Sequence, residues 1–351
     1  METLLVVDDD LVNLRYISSQ LAGAYVLIPA KSGAQALDIA ATRFPDLILL
    51  DIEMPGMDGF ETLARLQQNS RLSHIPVIFL TADHEPETEM RGLEAGAKDF
   101  ITKPCEKGVL LHRVGLHLRL SHYQKQLQLS VKELEDSIAV SFAELIECRD
   151  ENTGGHVQRT SEYMAVLGRA LRNRGHFESQ LRDDELNMMI RAAPLHDIGK
   201  IGVSDMVLLK PGKLDDTEFA AMKKHATLGA AILGTMFGRL PTQRYLLYAK
   251  MIAESHHERY DGKGYPHGIV GESIPLCARI MAVVDVYDAL VADRVYRKAM
   301  SHEEACDIIV AGKGVNFDPR IVAVFEEIHE MFLHCREHRV QPMPQQLLMV
   351  S

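Results

Sequence analysis

Five short apolar runs, each followed by an amphipathic stretch, constrain the first 120 residues more than any other feature of the chain. They lie at 4–7, 25–28, 47–50, 77–80 and 100–102, and the stretches after them include 33–41 and 60–68. Runs that are apolar on successive positions read as strands buried on both faces, which is the mark of a parallel sheet. Five βα units in a row make a doubly wound α/β domain with a five-stranded parallel sheet.

Polar residues stand where such a sheet binds ligands. Asp8 and Asp9 follow the first run, Asp51 the third, Thr81 the fourth and Lys103 the fifth, all at carboxyl ends of strands. Three carboxylates, a hydroxyl and an ammonium on one edge suit a Mg²⁺ ion and a phosphoryl group, with hard oxygens for the cation and lysine for the anion. One Asp at a strand end is ordinary turn chemistry; the whole set on one edge is not.

The segments VVDDD, LLDIEMPGMDG, FLTA and FITKP resemble the receiver domain of two-component response regulators, over essentially all of residues 1–120. The resemblance implies a flavodoxin-like fold, Asp51 as phosphoacceptor, and Asp8 and Asp9 beside it as Mg²⁺ ligands. It also implies Thr81 and Lys103 on the phosphoryl group, a cis Lys103–Pro104 peptide and Phe100 as the aromatic switch residue. A sensor histidine kinase is the implied partner.

From about residue 116 the apolar pattern becomes helical. Leu127, Val131, Leu134, Ile138 and Leu145 keep a spacing of three or four, interrupted by Ser141, with charges between them. Two readings of this 121–145 segment stay open. It is a continuous linker helix that pairs with a second subunit as a coiled coil, or an amphipathic helix packed on its own domain. Beyond residue 145 the apolar spacing is helical to the end, with Gly/Pro breaks at 210–214 and 261–268. The expected organisation is a receiver at 1–120, a linker at 121–145, a mostly α-helical domain at 146–337 and a tail at 338–351.

The helical half carries an ordered set of imidazoles and carboxylates. His196-Asp197 lies in APLHDIGKIG with Lys200 three residues on, His225 in MKKHATLG, and His256-His257 in AESHHERYDG. His156 opens the half, and Asp285 interrupts the apolar run MAVVDVYDAL. A carboxylate in such a run is costly unless paired or bound to metal, so Asp285 is expected to be buried at a site. Imidazole and carboxylate without thiolate suit Fe, Mn, Zn, Ni or Co. Adjacent His and Asp can face different ions with one carboxylate bridging, which favours two metals over one. His74, His84, His112, His117, His122, His176, His302, His329, His334 and His338 read as surface or satisfied core residues, and His267 beside the Gly-Tyr-Pro turn stands between the two groups.

The motifs HDIGK, KPGKL, HHERYDGKGYP, IPLCARIMAVVDVYDAL and DRVYR resemble the HD-GYP branch of the HD-domain phosphohydrolases, over about residues 145–335. By that resemblance His156, His196, Asp197, His225, His256, His257 and Asp285 are metal ligands, with Fe or Mn favoured. Lys200 contacts a substrate phosphate, Tyr265 shapes the site, and Arg294 and Arg297 hold the other phosphate or the guanines. Members with three metals carry a Glu where this chain has Asn152, so two ions are expected. The implied activity is metal-dependent hydrolysis of cyclic di-GMP to pGpG, and onward to GMP, under control of phosphorylated Asp51. Rival readings are another cyclic or linear nucleotide as substrate, or a metal-binding adaptor that works through a partner such as a diguanylate cyclase.

Composition excludes other classes. With 49 acidic and 38 basic residues the net charge is −11 and no Lys/Arg cluster stands out, which argues against nucleic-acid binding. No apolar run approaches the ~20 residues of a membrane span, and METLLVVDDD is not a signal peptide. Five scattered cysteines without a C-x-x-C pair point to a reducing cytoplasm and to neither a disulfide framework nor a cysteine zinc site.

Overall fold

The computed structural model describes residues 1–82, 86–150, 155–292 and 298–337. It divides into two compact units, residues 1–132 and 133–351. Asn152, Arg294, Arg297, His84, His338 and the 338–351 tail lie outside the described residues.

The first unit alternates β1 (Thr3–Val7), α1 (Leu11–Leu21), β2 (Val26–Ala30), α2 (Gly33–Arg43), β3 (Leu47–Asp51), α3 (Gly59–Gln68), β4 (Val77–Thr81), α4 (Pro86–Glu94) and β5 (Asp99–Thr102). The strands pair in parallel in the order β2-β1-β3-β4-β5. Because β1 lies between β2 and β3, the strand order reverses there, and the crevice at the carboxyl ends of β1 and β3 is where such sheets bind ligands. Strands β3 and β4 are buried at every residue, as their apolar runs require. Strand β2 differs: Val26 is exposed, Leu27 and Ile28 are partly so. It is an edge strand, and its Pro29 lacks a donor that the free edge does not need.

α5 (Lys107–Glu147) runs unbroken for 41 residues. The second unit continues with α6 (His156–Asn173), α7 (Asp183–Ala192), α8 (Asp205–Leu208), α9 (Asp216–Arg239), α10 (Tyr245–Ser255), α11 (Leu276–Val291), α12 (His302–Ala311) and α13 (Pro319–Glu337). Two 3₁₀ turns, Ala193–Leu195 and Ile198–Gly202, flank His196 and Asp197. Helix α11 is apolar around most of its surface and is accordingly the buried centre of the bundle. Tyr163 from α6 stacks on Phe332 from α13 at 4.7 Å and meets Tyr287 of α11 edge-on at 5.3 Å. This aromatic core fixes α6, α11 and α13 against one another, and α6 and α11 carry four of the side chains described next. No described helix is long and apolar enough to cross a membrane.

Candidate functional site

The receiver residues converge as expected. Lys103 Nζ lies 2.6 Å from Asp8 Oδ2 and 2.8 Å from Asp51 Oδ2. Asp8, Asp51 and Thr81 are buried, while Asp9 is exposed beside them with an oxygen in reach of the same point. Asp8 is further held by the Asp10 amide (2.9 Å) and Asn13 (3.3 Å). Burial pushes the Asp51 carboxyl up, Lys103 opposes that and Asp8 adds to it. The Lys103–Pro104 peptide is cis. Phe100 is buried with its ring 5.3 Å from Phe79 and directly under Gly92 of α4, where any Cβ would overlap it.

In the second unit, His156, His196 and Asp285 form one group of donors and Asp197, His225, His256 and His257 another. Asp197 stands between them. Its Oδ2 is 3.4 Å from His196 Nε2, and its Oδ1 is 3.3 Å from His225 Nε2 and 3.7 Å from His256 Nε2. Asp285 Oδ1 is 3.6 Å from His156 Nε2 and 3.7 Å from His196 Nε2, and those two nitrogens are 3.3 Å apart.

Four imidazoles are oriented alike. Nδ1–H of His156 donates to Asp288, that of His196 to the Ala193 carbonyl (3.0 Å), that of His225 to Met222 (2.8 Å) and that of His256 to Ile252 (2.9 Å). Each bond fixes the ring and aims Nε2 at the common centre, the arrangement usual for metal-ligating histidine. His225 Nε2, His256 Nε2, Asp197 Oδ1 and Glu147 Oε1 are buried and have no hydrogen-bond partner among the described residues. Buried polar atoms are rarely left so, and a pair of divalent cations would satisfy all four. The donor set therefore fits metal.

Electrostatics agree. Burial opposes charge on Asp197, but Lys200 and then His196 hold its carboxyl well below the usual range. Burial keeps His256 down at about 4 and His257 well below its ordinary value. The loop that carries Asp197 and Lys200 reaches the site because Gly199 packs on α9; a Cβ there would stand 1.9 Å from the His225 carbonyl oxygen. Lys200 Nζ is 2.8 Å from Asp197 Oδ2. Tyr265, after which the peptide to Pro266 is cis, stacks on His257 at 4.7 Å.

Three features differ from the sequence reading. Asp285, expected to be buried, is half-buried; its neighbour Asp288 is the enclosed carboxylate, bound to Arg159 as well as His156. Glu147 was missed: although nine residues before His156, its Oε1 lies 3.4 Å from His156 Nε2. Its signal was weak, one acid among several near a helix end. Lys223 was also missed; its ammonium sits 4.5 Å over the Phe219 ring and 5.5 Å over Tyr265, at one side of the site. His267 is itself exposed and turns away to the half-buried Glu254, at 3.1 Å.

Comparison with known proteins agrees with both halves. A response regulator receiver domain model matches residues 4–115 and an HD domain model matches residues 141–321, more than half of the chain. The chain belongs to the response regulators that join a receiver to an HD-GYP domain. A Vibrio cholerae protein named "Probable cyclic di-GMP phosphodiesterase" is 42% identical over 338 residues, covering 92% of this chain and 77% of that protein. The cyclic di-GMP phosphodiesterase response regulator RpfG of Xanthomonas campestris is 36% identical over 329 residues, covering 91% and 85%. A 3'3'-cGAMP-specific phosphodiesterase 2 of Vibrio cholerae is 37% identical over 210 residues, covering 60% of this chain and 38% of that protein.

Proposed function

We propose that this response regulator hydrolyses cyclic di-GMP to linear pGpG, with a second cut to GMP open to the same site, and that phosphorylation of Asp51 controls the rate. The observation that carries the reading is the division of the Asp197 oxygens between two groups of imidazole nitrogens. In this reading His156, His196 and Asp285 hold one divalent ion, and His225, His256 and His257 hold the other. Asp197, with one oxygen toward each group, would serve both, and Glu147 would supply a further carboxylate beside the first. Iron or manganese is favoured. When bound, such a pair would supply an activated water at neutral pH and positive charge for a displacement at phosphorus.

The chain itself supplies orientation and charge. Lys200 releases Asp197 to the metals and takes a substrate phosphate, supplying the positive charge that an acidic protein must provide locally. Tyr265, braced on His257, and Lys223 form an aromatic and cationic wall for a guanine or the second phosphate. The guanidinium groups of Arg294 and Arg297 are assigned to the other half of the dinucleotide. Water adds to one phosphodiester, the P–O3' bond breaks, and the ribose oxygen leaves as the hydroxyl of pGpG.

In the receiver, Asp51 takes the phosphoryl group from a sensor histidine kinase, Mg²⁺ sits on Asp8, Asp9 and Asp51, and Thr81, Lys103 and Phe100 respond. Helix α5 leaves Leu127, Val131, Leu134, Ile138 and Leu145 more than 45% exposed, which favours pairing with a second copy through residues 121–145 over packing at home. A cytoplasmic location follows from the kinase partner and the substrate.

Product analysis of the metal-loaded protein with cyclic di-GMP, 3'3'-cGAMP and pGpG tests the substrate. Turnover of cyclic di-GMP to pGpG is expected, and a strong preference for 3'3'-cGAMP would replace it, a reading favoured by the third relative above. No turnover at all, with a cellular effect that survives His196→Ala, would make the domain an adaptor for a partner such as a diguanylate cyclase. Equal rates for Asp51→Asn and the phosphorylated wild type would remove the switch.

A further inference from the structure

A separate cluster of nitrogen and sulfur donors shares no residue with the site described above: His302, Cys306 and His329, whose ligand atoms all lie within 4.8 Å of one another. We propose that these three side chains form a separate transition-metal site of the zinc class, with one thiolate and two imidazoles as donors.

The local chemistry favours this. His302 opens α12 and Cys306 follows one turn later on the same face, while His329 comes from α13. Cys306 Sγ is 3.7 Å from His302 Nε2, and His302 Nε2 is 2.8 Å from His329 Nδ1. A tetrahedral ion with ordinary Zn–N and Zn–S bonds separates N from S by about 3.6 Å and N from N by about 3.4 Å. The sulfur is at about the right distance from Nε2 but, being also 3.9 Å from Nδ1, lies beside the ring, so the Cys306 side chain must turn toward Nε2 and the two rings must part by about 0.6 Å. Nδ1 of His302 is taken by the Tyr287 hydroxyl at 2.8 Å, which leaves Nε2 as the ligand atom and supplies the outer hydrogen bond such a ligand needs. His302 and Cys306 are buried, whereas His329 is half-buried and is the side from which an ion would enter. Soft thiolate with imidazole selects Zn²⁺ or Co²⁺ over Mg²⁺. An ion here would tie α12 to α13 and, through Tyr287, to the helix that bears Asp285 and Asp288.

This site does not depend on the proposed phosphodiesterase, whose donor set contains no sulfur, so a thiolate signal tells the two apart. The full chain is stripped with a chelator and reloaded with Co²⁺. A thiolate-to-cobalt charge-transfer band in the near ultraviolet is expected in the wild type and in His196→Ala. Cys306→Ser should lose that band and one equivalent of bound metal. His329→Ala, altered at the half-buried ring, should weaken Co²⁺ retention at the thiolate site by tenfold or more, and it serves if Cys306→Ser fails to fold. A wild-type protein without the band, a band that persists in Cys306→Ser, or unchanged retention in His329→Ala would overturn the proposal.

Discussion

Asp288 Oδ2 sits 2.6 Å from Nδ1 of His156, although 132 residues separate the two in the chain. Burial alone would raise the Asp288 carboxyl, but Arg159 and His156 hold it below its ordinary range, so it is ionised and fixes the His156 ring. Outer-shell carboxylates of this kind are worth about 10–100-fold in metal affinity. Asp288→Asn should therefore lower metal retention by roughly that factor while His196 and His225 keep their own carbonyl partners. Metal titration against a competing chelator checks it, and unchanged affinity would show that Asp288 serves only the fold.

Metal binding should depend on pH with a defined sign. Burial opposes charge on His196, yet Asp197, Asp285 and Glu147 together raise its pKa to about 9. An ion must displace that proton, so apparent affinity should rise with pH, about tenfold per unit from this one group, and level off above about 9. His256, held by burial at about 4, is already neutral at pH 7 and adds no slope there. Affinity measured from mildly acidic to mildly alkaline pH checks this; a flat profile would contradict it.

Gly199 is where the HD loop meets α9 with no room for a side chain. The atoms a Cβ would strike are backbone, the His225 carbonyl at 1.9 Å and the Gly229 amide at 2.5 Å, so neither can swing aside. Gly199→Ala should cost about 3 kcal/mol, the upper end of overpacking effects, and should displace Asp197 from His225. Urea unfolding of the metal-free protein gives the energy, and metal content gives the displacement.

Arg279 and Asp318 form a buried pair at 2.5 Å that joins α11 to the start of α13. Removing one member of a buried pair strands the other and costs about 3–5 kcal/mol. Because Arg320 also touches Asp318, at 3.2 Å, Arg279→Ala should fall near 3 kcal/mol. Asp318→Ala should exceed it, since it removes the carboxylate from both the buried Arg279, left with the Ile274 carbonyl (2.9 Å) and the Phe177 ring, and Arg320. Paired denaturant curves test the order as well as the size.

Much of the fold and site was legible before any coordinates. The runs ending at Val7, Leu50 and Leu80 placed Asp8, Asp51 and Thr81 on one sheet edge, because strand direction and carboxyl-end binding follow from local pattern. His196-Asp197, His225 and His256-His257 stood out because each lies in a compact motif of its own. Where local pattern was overruled, neighbours did it: β2 is apolar, but its place at the edge leaves half of it open.

Other relationships exist only in the folded chain. Glu147 reaches His156, Asp288 orients it, and His329 meets the His302–Cys306 pair from another helix, yet no sequence pattern joins the partners in any of these three meetings. A helix repeats its faces every 3.6 residues and says nothing of which helix will pack on it. Residue order thus determined which side chains could ligate and on which faces they stand. The packing of α6, α11, α12 and α13 around Tyr163, Tyr287 and Phe332 decided which of those faces came together.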